Sequence, residues 1–375
     1  MLCDIVLGCF YGDEGKGRTV SYLCENAIKN DLKPLVIRFN GGHQAGHTVV
    51  HDGIRHVFSS FGSGTLQGVP TLWSKYCTFY PIGFTNERHA LVQMGIIPKI
   101  FIDPLCPVTT PYDFVSNRCS DETLKHGTCG VGFGETIKRH ETTPHKMYFM
   151  DLFNDFIFEN KMKNIRDYYY SKINNGHSLI NFNLLVEELM KPFYDSISLI
   201  KSLHRYINTS TFDYRDYDHL IFEGAQGILL DKDYGLYPNV TYSNTTAKNA
   251  LSLLDDNDLN LLINLFYVTR TYQTRHGNGP MSNENPDMIP FENETNVKNK
   301  YQGKFRLGEF DINLLKYAIQ CNEIELGQRT RTHNLVITCN DQYSNTNIYD
   351  EDIINGYNIY LSHSPKTNDI VKVLK

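Results

Sequence analysis

The sequence predicts an α/β fold: a large, mainly parallel central sheet with helices on both faces. Three observations predict it. Apolar runs of strand length recur along the 375-residue chain, stretches with helical spacing lie between several of them, and the first two runs each end in a glycine-rich loop. In a sheet of this kind ligands bind beyond the carboxyl ends of the strands, which is where both loops fall.

The first run, Asp4–Phe10, is apolar through Ile5-Val6-Leu7 and reads as a buried strand. Val20, Leu23, Cys24 and Ala27 then recur at spacings of three and four, the period of a helix. Between them lies Gly12-Asp13-Glu14-Gly15-Lys16-Gly17-Arg18. A strand, a glycine loop and a helix in this order aim amide donors and the positive helix end at an anion, and glycine lets the backbone approach it without a Cβ clash. Lys16 adds a point charge. The loop is not a Walker A sequence, because its spacing differs and Lys16 is followed by Gly17 and Arg18, not by Ser or Thr. The plainer reading is a strand-to-helix turn under a solvated charge cluster.

The second run, Pro34–Phe39, leads into Gly41-Gly42-His43-Gln44-Ala45-Gly46-His47-Thr48. A neutral imidazole can polarise an oxygen and a protonated one can stabilise charge that develops there. His43 and His47 have the four-residue spacing of helical zinc ligands, but the Glu of His-Glu-x-x-His is missing and the glycines oppose a helix. Phosphate chemistry fits the two loops better than zinc does.

Further strand-like runs follow at Lys99–Ile102, Leu220–Phe222, Leu262–Thr269, Leu335–Thr338 and Asn358–Leu361, with helical patterning at Leu184–Lys191 and Ile312–Cys321. Asn283–Asn299 is polar with two prolines and reads as an exposed insertion, and the charged stretch His140 to Lys146 reads as solvated surface. No internal repeat is evident.

A formal net charge of -6 argues against nonspecific nucleic-acid binding. The nine cysteines include no Cys-x-x-Cys pair and read as reduced thiols. No basic leader opens the sequence and no apolar run approaches the roughly 18 residues of a membrane span. The expectation is a cytoplasmic enzyme with small-molecule partners, no nucleic acid and no membrane.

The two loops resemble the signature segments of the adenylosuccinate synthetase family, and three more blocks follow in the family's order. Phe222-Glu223-Gly224-Ala225-Gln226-Gly227-Ile228-Leu229-Leu230-Asp231 and Tyr237-Pro238-Asn239-Val240-Thr241-Tyr242-Ser243-Asn244-Thr245-Thr246 resemble its central region. Thr274-Arg275-His276-Gly277-Asn278-Gly279-Pro280 resembles its Ser-Thr-Arg-Val-Gly-Ala-Gly-Pro segment. The resemblance implies one adenylosuccinate synthetase-like (P-loop-like) domain over 1–375, with variable insertions around 151–218 and 283–299. It also implies a homodimer.

The family joins aspartate to a 6-oxopurine nucleotide with a nucleoside triphosphate, usually GTP, and Mg²⁺. A purine 6-oxygen is a poor leaving group, so it is phosphorylated first and the aspartate amine then displaces phosphate at C6. Carried over by motif, Asp13 is the base for the N1 proton and a Mg²⁺ ligand with Gly46, and His47 is the acid on the 6-oxygen. Lys16 and Gln226 complete the catalytic set. The triphosphate falls to Gly12, Glu14, Gly15, Lys16, Gly17 and Arg18, to Gly46, His47 and Thr48, and to Arg306, Cys339, Asp341, Ser362 and Ser364. The purine nucleotide falls to Asp13, Gln44, Thr128, Cys129, Arg139, Gln226 and Thr241, and aspartate to Gln302, Lys304 and Arg306.

Departures from the family mark where substrate identity is open. Gly127-Thr128-Cys129-Gly130-Val131-Gly132-Phe133-Gly134 puts Cys129 where the family's loop has a phosphate-contacting Thr, and Arg139 is the nearest match to the arginine that reaches a partner's nucleotide. The family's Gly-Arg-Arg-Arg-Arg-Thr-Gly-Trp-Leu-Asp is here Gln302-Gly303-Lys304-Phe305-Arg306-Leu307-Gly308-Glu309-Phe310-Asp311. Its guanine-reading Thr-Lys-Leu-Asp is Thr338-Cys339-Asn340-Asp341, which keeps the carboxylate and loses the lysine, and Ser362-His363-Ser364-Pro365 stands for Ser-Thr-Gly-Pro. Such changes are similar to those of a phage branch that uses dGMP in place of IMP. IMP or dGMP, GTP or ATP, and the amine are therefore left open, beside a noncatalytic nucleotide sensor.

Overall fold

The computed structural model describes residues 1–375 except 120–127, 174–175, 208, 210–211, 291–302, 344–354 and 374–375. In chain order its strands are β1 (Leu2–Gly8), β2 (Pro34–Arg38), β3 (His47–His51), β4 (Ile54–Phe58), β5 (Thr71–Trp73), β6 (Ile100–Ile102), β7 (His219–Glu223), β8 (Ile263–Arg270), β9 (Tyr272–His276), β10 (Phe305–Glu309), β11 (Arg331–Thr338), β12 (Asn358–Ser362) and β13 (Ile370–Lys372). The helices are α1 (Lys16–Lys29), α2 (Pro81–Gln93), α3 (Pro111–Cys119), α4 (Phe133–Thr142), α5 (Asp155–Lys172), α6 (Gly176–Ser202), α7 (His204–Ile207), α8 (Lys248–Asp256) and α9 (Ile312–Leu326).

Nine strands form one sheet in the order β13-β12-β11-β8-β1-β7-β2-β5-β6. Every pairing in it is parallel except β12 with β13. β1 occupies the centre because Cys3 to Gly8 are buried without interruption, as a strand covered on both faces requires. Alternate residues serve opposite layers: Ile5 and Leu7 pack with Ala250 and Leu254 of α8 and Leu315 and Ala318 of α9, whereas Val6 packs with Val20 and Cys24 of α1. Helices thus cover both faces. A further aromatic-rich core joins α2, α3, α5 and α6 through Phe84, Phe114, Phe158 and Phe193. Among the described residues no helix is long and apolar enough to cross a membrane.

All seven strand-like runs of the sequence become strands of the sheet. β5 and β13 escaped the pattern because each holds only two adjacent apolar residues, whereas β6, equally short, is apolar throughout. Two antiparallel ribbons, β3–β4 and β9–β10, stand outside the sheet, and His47 opens the first of them. His140 corrects the expectation of a solvated His140–Lys146: it is buried, its Nε2 accepts the Met147 N–H at 3.2 Å, and burial pushes its pKa down to about 3. The start of the polar stretch is tied down as well. Glu309 N–H donates to Asn283 O at 2.9 Å and Asn285 N–H to Leu307 O at 3.0 Å, while 291–299 lie outside the described residues.

Candidate active site

Because β1, β2, β7, β8 and β11 run parallel, their carboxyl ends bring five loops to one edge of the sheet. A cavity of about 1260 Å³ opens there, walled by the first loop, the second loop from Gln44 to Thr48, Gln226, Thr241, Arg270, His276, Thr338, Asp341 and Ser364. Gly15 shows why the first loop needs glycine: its φ is +97° and a Cβ would meet Thr338 Cγ2 at 2.9 Å. Asp13, Gln226 and Cys339 also hold positive φ, at 56°, 61° and 59°, without being glycine. Such residues cost about 1 kcal/mol or more each and cluster where a site needs them.

Lys16 opens α1 and is buried, 3.9 Å from Glu14. Burial pushes the Glu14 carboxyl up to about 7 against the pull of Lys16 and of the Phe10 N–H it accepts at 2.6 Å. Near neutrality Glu14 therefore cancels only part of the Lys16 charge. The first N–H groups of α1 lack intrahelical partners, so cation and amides together form a receptor for phosphate oxygens.

Asp13 is one-third open to the cavity, with Oδ2 3.1 Å from His276 Nε2 and its backbone oxygen accepting from Arg270 Nε at 2.5 Å. Burial works to raise its pKa, but His276, Arg270 and Lys16 outweigh it and the group stays below the usual carboxylate range. An ionised carboxylate thus faces the cavity as an available base.

His47 lies opposite in kind. Its Nδ1 is 2.5 Å from Glu223 Oε1 at the end of β7, and Nε2, buried in the cavity wall, has no partner among the described residues. Ser63 holds the same carboxylate through its N–H at 3.0 Å and through its hydroxyl. Burial raises the Glu223 pKa, yet His47 and Arg38 override it and bring it to about 2. An ionised Glu223 assigns the Nδ1 proton to His47. Burial lowers the His47 pKa, with Glu223 opposing, so a proton taken up at Nε2 is given back readily.

Gln44 and Gln226 add amide oxygens without partners among the described residues, and Gln44 an amide nitrogen as well. Thr241 is held by its N–H donating to Leu230 O at 2.8 Å. Thr128 donates to Asn117 Oδ1 at 3.2 Å, and burial with nearby Asp13 pushes the Cys129 thiol up to about 12, so it remains a neutral wall residue.

Four carried-over residues do not converge. Arg139 is corrected: it is buried against its own chain, with Nε 2.7 Å from Asp113 Oδ1 and Nη2 2.9 Å from both Val108 O and Asp113 Oδ2, and it presents nothing to a partner subunit. Ser362 is also corrected, being enclosed within β12 away from the cavity wall, whereas Ser364 lines it. Arg306 gives Nη1 to Glu284 at 2.7 Å and Nη2 to Gly279 O, and neither it nor exposed Lys304 belongs to the wall. Gln302 lies outside the described residues.

A model of the adenylosuccinate synthetase family matches residues 5–344. The chain belongs to the adenylosuccinate synthetase family. An adenylosuccinate synthetase of Mannheimia succiniciproducens is 30% identical over 333 residues, covering 85% of this chain and 74% of that protein. The fully ligated adenylosuccinate synthetase of Plasmodium falciparum superposes with a TM-score of 0.69 at 17% identity over 100% of both chains. The succinoaminodeoxyadenylate synthetase of cyanophage S-2L, bound to dGMP and dATP as an energy donor, gives 0.67 at 17% identity, over 100% of this chain and 96% of that one. This adenylosuccinate synthetase family member is accordingly a C–N bond-forming ligase that depends on a nucleoside triphosphate.

Three neighbours of the site were missed in the sequence. Glu223 stands within a motif, but its contact with His47 requires the strand register. His276 replaces the valine of the family's segment, a difference that signals a new partner for the first loop. Arg38 reaches the site only through β2, where it pairs in register with Glu223.

Proposed function

We propose that this family member joins L-aspartate to C6 of IMP, forming adenylosuccinate. Asp13 takes the N1 proton, and the freed electron pair makes the 6-oxygen a nucleophile toward the γ-phosphorus of the triphosphate. The bond to the diphosphate breaks, and His47, carrying a second proton on Nε2 taken up from solvent, donates it as a hydrogen bond to the 6-oxygen and stabilises charge there. The aspartate amine then forms its bond to C6 as the phosphorylated oxygen departs as inorganic phosphate, which takes up the proton the amine loses. Lys16 and the α1 amides hold triphosphate oxygens, and Gln226 and Thr241 orient the monophosphate. The observation that carries this reading is one cavity shared by an ionised Asp13 and an unpartnered His47 Nε2.

A Mg²⁺ ion fits the donor set. Asp13, ionised and one-third open, and Gly46 line the same cavity, and the ion characteristically takes one or two carboxylates plus substrate phosphates. Asp13 and the Gly46 carbonyl would hold it. The ion supplies charge neutralisation on the transferring phosphoryl group.

A second reading replaces IMP with dGMP. Cys129 and the loss of arginines from the loop at 302–311 favour it, because both alter contacts to the monophosphate and the amino acid. Incubation with IMP or dGMP, GTP or ATP, Mg²⁺ and aspartate, followed by product masses, decides between the readings. Adenylosuccinate supports the first and the 2-amino deoxy product the second. Absence of either product, with no phosphate released, contradicts both and leaves a nucleotide sensor.

A further inference from the structure

The cavity wall contains a buried cation that phosphate binding does not explain. Arg18 sits in the first turn of α1 with 7% of its surface exposed, and its Nε and Nη2 have no hydrogen-bond partner among the described residues. No ion pair involves it among the described residues. It nevertheless lines the cavity, with Cys339, Asp369 and Asp341 the groups that act electrostatically on it. That placement is fixed: Thr338 Oγ1 donates to Glu14 O at 2.9 Å, which clamps the end of β11 to the loop that leads into Arg18. Phosphate oxygens already have Lys16 and the free amides of the helix start. A buried guanidinium without an acceptor is costly, so this one is expected to meet a ligand acceptor when the site fills.

We propose that Arg18 selects the base of the nucleoside triphosphate, donating its planar fork to the 6-oxygen and N7 of a 6-oxopurine. It takes over from a different element the cationic role lost where Cys339 stands in place of the family's lysine. Guanidinium matches those two acceptors bidentately, and on the adjoining edge the Asp341 carboxylate accepts from N1–H and a 2-amino group. An adenine offers a 6-amino donor to a donor and an N1 lone pair to a carboxylate. Both mismatches leave buried groups unpaired, which is how a polar site rejects the wrong ligand. The inference rests on the ligase reading for placing a triphosphate in this part of the cavity.

Calorimetric Kd values for GTP, ITP and ATP with Mg²⁺, measured on the wild-type protein, Arg18→Met, Arg18→Lys and Asp341→Asn, test it without requiring turnover. ITP keeps the 6-oxygen and lacks the 2-amino group. Arg18→Met is expected to weaken GTP and ITP about tenfold or more with no matching loss for ATP, and Arg18→Lys to recover part of it. Asp341→Asn should weaken GTP more than ITP. Equal weakening of all three triphosphates by Arg18→Met would overturn the proposal by assigning Arg18 to phosphate, and unchanged binding of all three would overturn it by removing Arg18 from the ligand. If selective binding is found but no ligase product forms with any monophosphate, the base-reading role stands and the ligase reading fails.

Discussion

His276 Nε2 lies 3.1 Å from Asp13 Oδ2, so the candidate base of the first loop is oriented by a side chain that the family's valine could not supply. His276→Val removes that hydrogen bond and leaves the glycine loop unchanged. A loss of about tenfold in kcat, with little change in KM for the monophosphate, is the expected outcome in steady-state kinetics. An unaltered kcat would show that Asp13 is positioned without it.

His47 has two jobs on two nitrogens, with Nδ1 held by Glu223 and Nε2 left for the substrate. His47→Ala is expected to lower kcat by about 10²–10⁴-fold, the usual range for a general acid or base. Glu223→Gln should lower it as well, because the neutral amide no longer stabilises a protonated ring. Far-UV circular dichroism and nucleotide binding check that both variants are folded.

Glu223 also links stability to acid. Its folded pKa of about 2 lies below the ordinary 4.5, so its ionised form stabilises the fold above pH 4.5 and that contribution disappears as pH falls toward 2. The shift corresponds to about 3 kcal/mol. Urea unfolding of wild type and Glu223→Gln should differ by an amount of that order at pH 7, shrinking below pH 4.5. A gap that widens on acidification would contradict the assignment.

Arg139 illustrates a cation spent inside its own chain. Tyr169 donates to the same Asp113 at 2.7 Å, so Arg139→Met strands a buried carboxylate within a closed network. Destabilisation by about 3–5 kcal/mol is expected from the urea midpoint, with no selective effect on self-association in sedimentation. Selective dissociation at unchanged stability would restore an intersubunit role.

How far the sequence could be read follows from the range of the forces involved. β1, β2, β7, β8 and β11 announce themselves because strands buried on both faces are continuously apolar, and the glycine loops because Gly15 has no room for a Cβ. β5 stayed hidden because Thr71–Trp73 has only two adjacent apolar residues, where the equally short Ile100–Ile102 is apolar throughout. In the site, Asp13, Lys16 and His47 were legible as members of local loops. Glu223 and His276 were not, since their contacts with His47 and Asp13 join residues about 180 and 260 positions apart and depend on strand register. Arg139 and Ser362 were misplaced for the converse reason: a motif offset says nothing about which acceptor or layer already encloses a side chain.

The central claim is that the purine 6-oxygen leaves as phosphate after activation between Asp13 and His47. Turnover of whichever monophosphate proves to be the substrate, carrying ¹⁸O at the 6-position, with unlabelled triphosphate and aspartate, measures it directly. The account predicts one ¹⁸O in each inorganic phosphate released, with label transfer abolished in Asp13→Ala. Unlabelled phosphate formed alongside the C–N product would contradict it.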